Sequence, residues 1–577
     1  MSLLDTASLL LTPNAYKEGK LYSVIPSDGS GDFTFTRATT ATRVNSDGLV
    51  ELVPYNLLTY SEDFSSNWGL SNTTKTSGQI DPFGGNKAIK LQYNTNNSSH
   101  YTVQSGISLT GNNAHSVYAK AGELQFLQIA SAQNVEERAN FNLANGTIGT
   151  YGSLASNVQI ENVGGGWYRC SVVFTNGSNG IYCVIANSAS MNWFASSPFA
   201  GANTTDGLYL YGAQLNEGSL LPYQKTETRL NIPRLDYSLG GCPNILLEPQ
   251  RTNLALQSSS FDSTSWGKAN ITVTENTTTS PSGLQDADTL TADGTSSGHQ
   301  VTQSISLTGG ATYSISFYAK KNTNNFIQFV GANSVLGLNA WANFDLENGV
   351  VGSVGSLTTA SIESVGNGWY RCIVNVTATA TATSNAFILN MITSATSIRG
   401  EANSLSTSVY IWGAQLEAGS YATSYIPTTT ASVTRNADII SKPNLGTYMS
   451  PQNNTIFFDF TTISGGQNTN IFRFNTSSGN TIQFWYFLIT NSINIQLGGV
   501  FYNTGILSGK VAIQINPTDT KMFVNGVLSA TAGTTGVVTT LTSPMDIYSN
   551  GATMNCKTMQ VYNTSLSDAE CIALTTL

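Results

Sequence analysis

The stretch "GGWYRC" at Gly165–Cys170 returns as "NGWYRC" at Asn367–Cys372, 202 positions later. A Trp-Tyr-Arg-Cys run does not recur by chance in a chain with only 8 Trp and 6 Cys. Working outward, the echo is far longer than six residues. The first copy runs "NLLTYSEDFSSNW", "SGISLTG", "HSVYAK", "NFNLANG", "GGWYRC", "LYLYGAQLNEGS", and the second answers in the same order with "NLALQSSSFDSTSW", "QSISLTG", "YSISFYAK", "NFDLENG", "NGWYRC", "VYIWGAQLEAGS". The interval is 200 at Lys120/Lys320, 203 at Asn142/Asp345, 202 at Trp167/Trp369 and 201 at Gly212/Gly413, so insertions and deletions fall between the motifs. A unit of roughly 175 residues is far above the 20–50 of a solenoid repeat, and the duplication is of a whole domain.

Inside the echo the apolar pattern has period 2. In "WYRCSVVF" Tyr168, Cys170, Val172 and Phe174 share one face, with Trp167, Arg169 and Ser171 on the other; in "YSISFYAK" Ile315, Phe317 and Ala319 oppose Ser314 and Ser316. Such strands, with turn clusters every 8–12 residues or so, predict antiparallel sandwiches. Residues 436–577 continue in short strands, with a type I′ hairpin expected at Asn525-Gly526 and a capping box, Ser567 with Glu570, starting one short helix. The expected fold class is therefore all-β: tandem antiparallel β-sandwich (jelly-roll) domains over 55–228 and 253–435, an extended linker over 229–252, and a carboxy-terminal sandwich over 436–577. Residues 1–54 are expected to form a separate segment.

Composition agrees. Only 10% of residues are charged, while 25 Tyr and 24 Phe favour pleated, half-buried surfaces. The net charge of −9, from 34 acids and 25 bases without runs, leaves no basic patch for a nucleic acid. No apolar run approaches the 18 or so residues of a membrane-spanning helix. The amino terminus has Asp5 where a secretory signal needs Lys or Arg, and is read as lacking a signal peptide. The composition of an extracellular binding protein without such a signal fits a chain made in a bacterial cytoplasm and released by lysis. The six cysteines show no CxxC or zinc spacing and are expected to be buried free thiols, although Cys170 and Cys183 flank a turn and could face each other across a hairpin.

The stretches "KLYSVIPSDGSGDFTFTRATTATRVNSDGLVE", "PRLDYSLGGCPNILLEPQRTNL", "WGAQLEAGSYATSYIPT" and "VYNTSLSDAECIAL" resemble fibre and appendage proteins of tailed bacteriophages, particularly crAss-like phages. The resemblance covers nearly the whole chain. It implies carbohydrate-binding-module jelly rolls, a concanavalin A-like (laminin-G-like) last domain, and a head or tail fibre on the virion surface that attaches to host or mucosal glycans. It further implies docking to other virion proteins through residues 1–54, and a homotrimer. A polysaccharide-degrading tail spike and a capsid decoration protein without ligand are the alternatives.

No enzyme constellation assembles in the sequence. "GTSSG" at Gly294–Gly298 fits a nucleophile-elbow pattern but lacks the buried strand before it and the helix after it. Asp345 and Glu347 could form a hydrolytic carboxylate pair, yet the first copy has Asn142 and Ala144 there. Of the three histidines, His100, His115 and His299, the middle one aligns with Ile315 and reads as a core or rim residue. Sugar binding asks only for an aromatic face and fixing amides. The candidates are Trp341, aligned with Arg138 of the first copy, Trp485 with its neighbour Tyr486, and Trp167 and Trp369, which either cover a sheet or line a ligand surface. No cofactor is expected; the oxygen-rich turns "SDGSGD" (Ser27–Asp32) and "NSDG" (Asn45–Gly48) are candidates for a structural Ca2+, without EF-hand spacing.

Overall fold

The strand Trp167–Phe174 buries Cys170, Val172 and Phe174 in a core with Val117, Ala119, Ile181 and Leu210. In a computed structural model, which describes residues 3–109, 111–131, 133–465, 468–475, 481–487, 490, 492–497, 500–532, 545–548 and 552–576, the chain divides into two compact units: Pro54–Arg229, and Met1–Val53 with Leu230–Leu577. The protein is all-β, built of antiparallel sandwiches.

The first unit packs two six-stranded sheets face to face. One runs Gly69–Ser71, Tyr101–Leu109, Ser178–Ile185, Phe126–Ala130, Arg138–Asn142, Thr147–Tyr151; the other Thr73–Gln79, Ala88–Tyr93, Gly207–Glu217, Asn113–Lys120, Trp167–Phe174, Ala155–Gly164. Residues 267–418 repeat this arrangement strand for strand around their own core.

Each letter of the repeated motif has its own task. The cysteine fills the core. The arginine reaches across the outer face of its sheet: Arg169 Nη2 donates to Ser116 Oγ at 3.2 Å and to the Leu221 carbonyl at 2.8 Å, and Arg371 donates to Ser316 Oγ at 2.9 Å and the Thr423 carbonyl at 2.6 Å. Each guanidinium lies over a tyrosine ring, Tyr118 at 5.9 Å and Tyr318 at 5.5 Å. The chain leaving each domain is thereby pinned to the outside of the sheet. A glutamine helps: Gln214 Oε1 accepts from the Gln224 N–H at 2.8 Å, and Gln415 Oε1 from the Ile426 N–H at 2.7 Å. Gly212 and Gly413 sit at φ +57° and +63° where the strand register shifts, and a Cβ there would meet the Tyr118 or Tyr318 ring at 2.9 or 2.7 Å. Only glycine satisfies both demands.

The third sandwich corrects the expected boundaries. Its eight-stranded sheet takes Leu9–Leu11, Leu235–Asp236 and Asn244–Leu247 beside Ala552–Tyr562, Asn454–Gly465 and three further strands. Its nine-stranded sheet begins with Tyr16–Lys17, Lys20–Leu21 and Phe33–Thr36, the last of which pairs with Ile439–Lys442. Residues 1–54 are therefore no separate segment and 229–252 no extended linker. The physical reason is burial: Leu9, Leu11, Leu21, Phe33, Phe35, Ile245 and Leu247 all enter the core of the domain expected over 436–577. Each such side chain contributes on the order of 1.5–3 kcal/mol when withdrawn from water. The hairpin Ala41–Val44/Val50–Val53 instead lies on the second jelly roll, where the Val50 N–H donates to the Pro281 carbonyl at 2.9 Å.

A buried ion cluster joins these segments. Asp438 accepts from Arg37 Nη1 at 2.7 Å, from Arg234 Nη2, and from the Glu248 N–H at 2.8 Å. Glu248 in turn meets Arg234 at 2.7 Å and Arg435 at 2.8 Å. Burial alone would raise the Glu248 carboxyl, yet Arg435 and Arg234 hold it well below the ordinary carboxylate range.

Local expectations fare well. Asn525 and Gly526 take φ of +46° and +83° between Thr520–Val524 and Val527–Ala532. Ser567 and Glu570 form the capping box of the helix Asp568–Thr575. All six cysteines are free; Cys242 is exposed, against expectation, in the turn between Leu235–Asp236 and Asn244–Leu247. Cys170 and Cys183 lie in opposite sheets and share the core between them, not a hairpin.

Candidate functional site

In both jelly rolls one sheet has an outer face that carries amides. Leu127, Ile129, Ala139 and Phe141 point into the core, so Gln128, Arg138 and Asn140 point out; in the second copy Gln328, Trp341 and Asn343 do. The outward amides are nevertheless fully buried, because a loop lies on them. Asn140 Nδ2 donates to the Met191 carbonyl at 2.8 Å and Gln128 Oε1 accepts from the Phe194 N–H at 3.1 Å. Asn343 Nδ2 donates to the Ser397 carbonyl at 2.8 Å and Gln328 Oε1 accepts from the Gly400 N–H at 2.7 Å.

These loops bring in residues that strand reading misses. Trp193 Nε1 donates to the Ser131 carbonyl at 3.4 Å, next to the Ala130–Arg138 pair. Arg399 Nη2 donates to the Gly331 carbonyl at 2.9 Å, next to the Val330–Trp341 pair. Trp193, Trp341, Arg138 and Arg399 are all half-buried. The loop sequences differ in length between the copies, which hides the correspondence from alignment.

Trp167 and Trp369, named as candidates, are corrected. They are 3% and 1% exposed, packed on the outer face of the other sheet among Tyr118 and Tyr211 or Tyr318, Trp412 and Tyr425. Trp369 Nε1 donates to the Thr279 carbonyl at 2.9 Å. They cover the sheet and offer no face to a ligand.

Trp485 has a different setting. In the strand Thr481–Phe487, Phe484 is buried in the core, which turns Gln483, Trp485 and Phe487 outward. Across the next two strands Trp485 stands opposite Asn494, and Asn494 opposite Asn503, while Gln483, Gln496 and Phe501 form the neighbouring row. The rings gather: Trp485 to Phe501 is 6.1 Å, Phe487 to Phe501 4.9 Å and Trp485 to Phe487 6.3 Å. Phe501 is 42% exposed on the edge strand Val500–Asn503. The side chain of Tyr486 lies outside the described residues.

The remaining candidates are engaged elsewhere. Asp345 Oδ1 accepts from the Glu347 and Asn348 N–H groups at 2.9 and 3.1 Å, closing its own turn, and Glu347 lies beyond the strand and pairs with Lys321. The two carboxylates considered as a hydrolytic pair are thus engaged separately, Asp345 at the end of its strand and Glu347 in the turn beyond it. Asp32 meets Lys20 at 3.1 Å and the Ser23 N–H at 3.1 Å, and Asn45 Oδ1 accepts from the N–H groups of Asp47 and Leu49. Among the described residues no three His, Cys, Asp or Glu side chains gather as a metal site. Ser297 of the "GTSSG" stretch bridges Asn403 and is followed by a strand rather than a helix. His100 and His299, fully buried, each tie two carbonyls, Asn72 and Phe199 or Asn270 and Asn403. Burial pushes His115 down to about 3, as befits a core residue. Among the described residues no helix is long and apolar enough to cross a membrane.

Fold and surfaces together define the class: an all-β protein of antiparallel sandwiches, two of them duplicates, with aromatic and amide groups on outer sheet faces. No family model and no curated protein matches the chain. Among solved structures, the sialidase carbohydrate-binding module titled "Ruminococcus gnavus IT-sialidase CBM40 bound to alpha2,3 sialyllactose" is similar at 21% identity, over 22% of this chain and 84% of that one, with a TM-score of 0.18.

Proposed function

We propose that this is a non-enzymatic, glycan-binding protein displayed on a tailed-bacteriophage virion, a head or tail fibre that holds particles to host or mucosal glycans. The observation that carries glycan binding is the outward Trp485–Phe487–Phe501 group beside Gln483, Gln496 and Asn503. Aromatic faces stack on the apolar side of a pyranose ring, and side-chain amides supply both donors and acceptors for its hydroxyls. The phage-appendage motifs of the sequence support the virion setting. Repeated display, including self-association as a homotrimer, would turn weak single sites into useful avidity.

The test is retention of the full chain on immobilised host capsule or mucin glycans. Trp485→Ala is expected to weaken retention at least about tenfold, or ~1.4 kcal/mol. Unchanged retention by that variant refutes the site. For the virion setting, an antibody against residues 436–577 should label the surface of intact particles in electron micrographs; bare particles refute it.

A further inference from the structure

The two jelly rolls build one corner in opposite ways. In the first, the strand residue opposite Ala130 is Arg138, and the loop residue bonded to the Ser131 carbonyl is Trp193. In the second, the strand residue opposite Val330 is Trp341, and the loop residue bonded to the Gly331 carbonyl is Arg399. Each copy therefore brings one indole and one guanidinium to the same end of the same strand, with the supporting elements exchanged. Had either group served only to pack a strand or pin a loop, nothing would require the other to reappear from the opposite element. What the duplicated domain retains is the pair of groups.

We propose that this corner, in each jelly roll, binds a carboxylate-bearing sugar: the indole lies against the apolar side of the pyranose ring and the guanidinium pairs with its carboxylate. An indole offers a flat apolar face, and a guanidinium is a planar fork of donors matched to a carboxylate's two oxygens. In the second copy Arg399 gives one Nη2 bond to Gly331 and forms no ion pair among the described residues; its Nε, like that of Arg138, is buried without a partner. Its charge is left for a ligand. Ile398, its neighbour in the loop, is 73% exposed and adds apolar surface beside it. In the first copy Arg138 already donates to the Val135 carbonyl at 2.6 Å and lies 3.5 Å from Glu136, so its charge is partly matched. The second jelly roll is accordingly the tighter site.

This inference rests on the glycan reading above but on a separate surface, so the two can fail separately. The experiment is affinity electrophoresis of the full chain through gels containing polygalacturonate, its fully methyl-esterified form, or dextran sulfate. The expected result is retardation by polygalacturonate at least tenfold stronger than by the ester. Arg399→Gln and Trp341→Ala should each remove at least tenfold, Arg138→Gln distinctly less, and Trp341→Tyr should keep most of the binding, with unchanged near-ultraviolet circular dichroism showing intact folds. Equal retardation by acid and ester overturns the carboxylate assignment. Polygalacturonate binding that survives both Arg399→Gln and Trp341→Ala overturns the site, as does dextran sulfate binding of equal strength that ignores Trp341→Ala. No retardation by any polymer, with Trp485-dependent retention on host glycans intact, overturns this inference and leaves the proposed function standing.

Discussion

Replacing His115 with isoleucine, the residue at the matching position of the second jelly roll, should abolish an acid sensitivity peculiar to the first. His115 is fully buried on the strand Asn113–Lys120, its ring edge-on to Phe174 at 4.8 Å. Nε2 lies 2.6 Å from Asn113 Oδ1, while Nδ1 has no partner, so the folded protein has no acceptor for a second ring proton. Burial accordingly lowers its pKa from 6.5 to about 3. As pH falls through 6.5 the unfolded chain takes up a proton that the folded chain refuses until about 3. The stability this contributes is complete above that window and declines through it, by about 3 kcal/mol at pH 4.5 and about 4 kcal/mol at its lower end. Ile315 is equally buried and does not titrate. Hydrogen exchange of the full chain, corrected for intrinsic rates, reads both strands at once. Between pH 7 and 4.5 the protection of Asn113–Lys120 should fall roughly a hundredfold relative to Thr312–Lys321 in the native protein, and should fall no further than Thr312–Lys321 in His115→Ile. If native protein and variant lose protection in parallel, the reasoning fails.

Two further substitutions probe the frame. Asp438→Ala strips Arg37 and Arg234 of a fully buried carboxylate and should destabilise the unit containing the second jelly roll by about 3–5 kcal/mol in denaturant titration; a loss below ~1 kcal/mol would show the cluster to be dispensable. Gly413→Ala forces a side chain into positive φ and against the Tyr318 ring, at about 2–4 kcal/mol, seen as a lowered melting transition; an unshifted transition would mean that the bulge relaxes freely.

Alternation, duplication, the Asn525-Gly526 turn and the Ser567 cap were legible because each is decided within a few residues. Alternation also told which way Trp167 points relative to its core, but for Trp485 and Tyr486 it told only that the two face opposite sides; the burial of Phe484 decides that Trp485 points outward. Alternation could not tell what lies over the outward face: the exit chain fixed by Arg169 and Gln214 buries one side, whereas nothing described covers Phe501. Arg138 and Trp341 were visible as a mismatch between copies, but Trp193 and Arg399, which complete that corner, sit in loops of unequal length. The amino-terminal strands were illegible for another reason. Segments such as Leu9–Leu11 and Lys20–Leu21 are too short to show a period, and the strands that tie this region into its sheets, Leu9–Leu11 and Phe33–Thr36, have partners hundreds of residues away.

That distance has a consequence during synthesis. Ser8 bonds to the Val561 carbonyl, 553 residues further along. At roughly 5–20 residues per second, Leu9–Leu11 emerges from the ribosome about 30–110 s before the strand it pairs with. Meanwhile Pro54–Arg229 can complete its own core as it appears, while the apolar side chains ahead of it wait. A nascent chain of this protein therefore carries an early, sticky end beside a finished domain, and its yield should depend on what shields that end until the last sheet arrives.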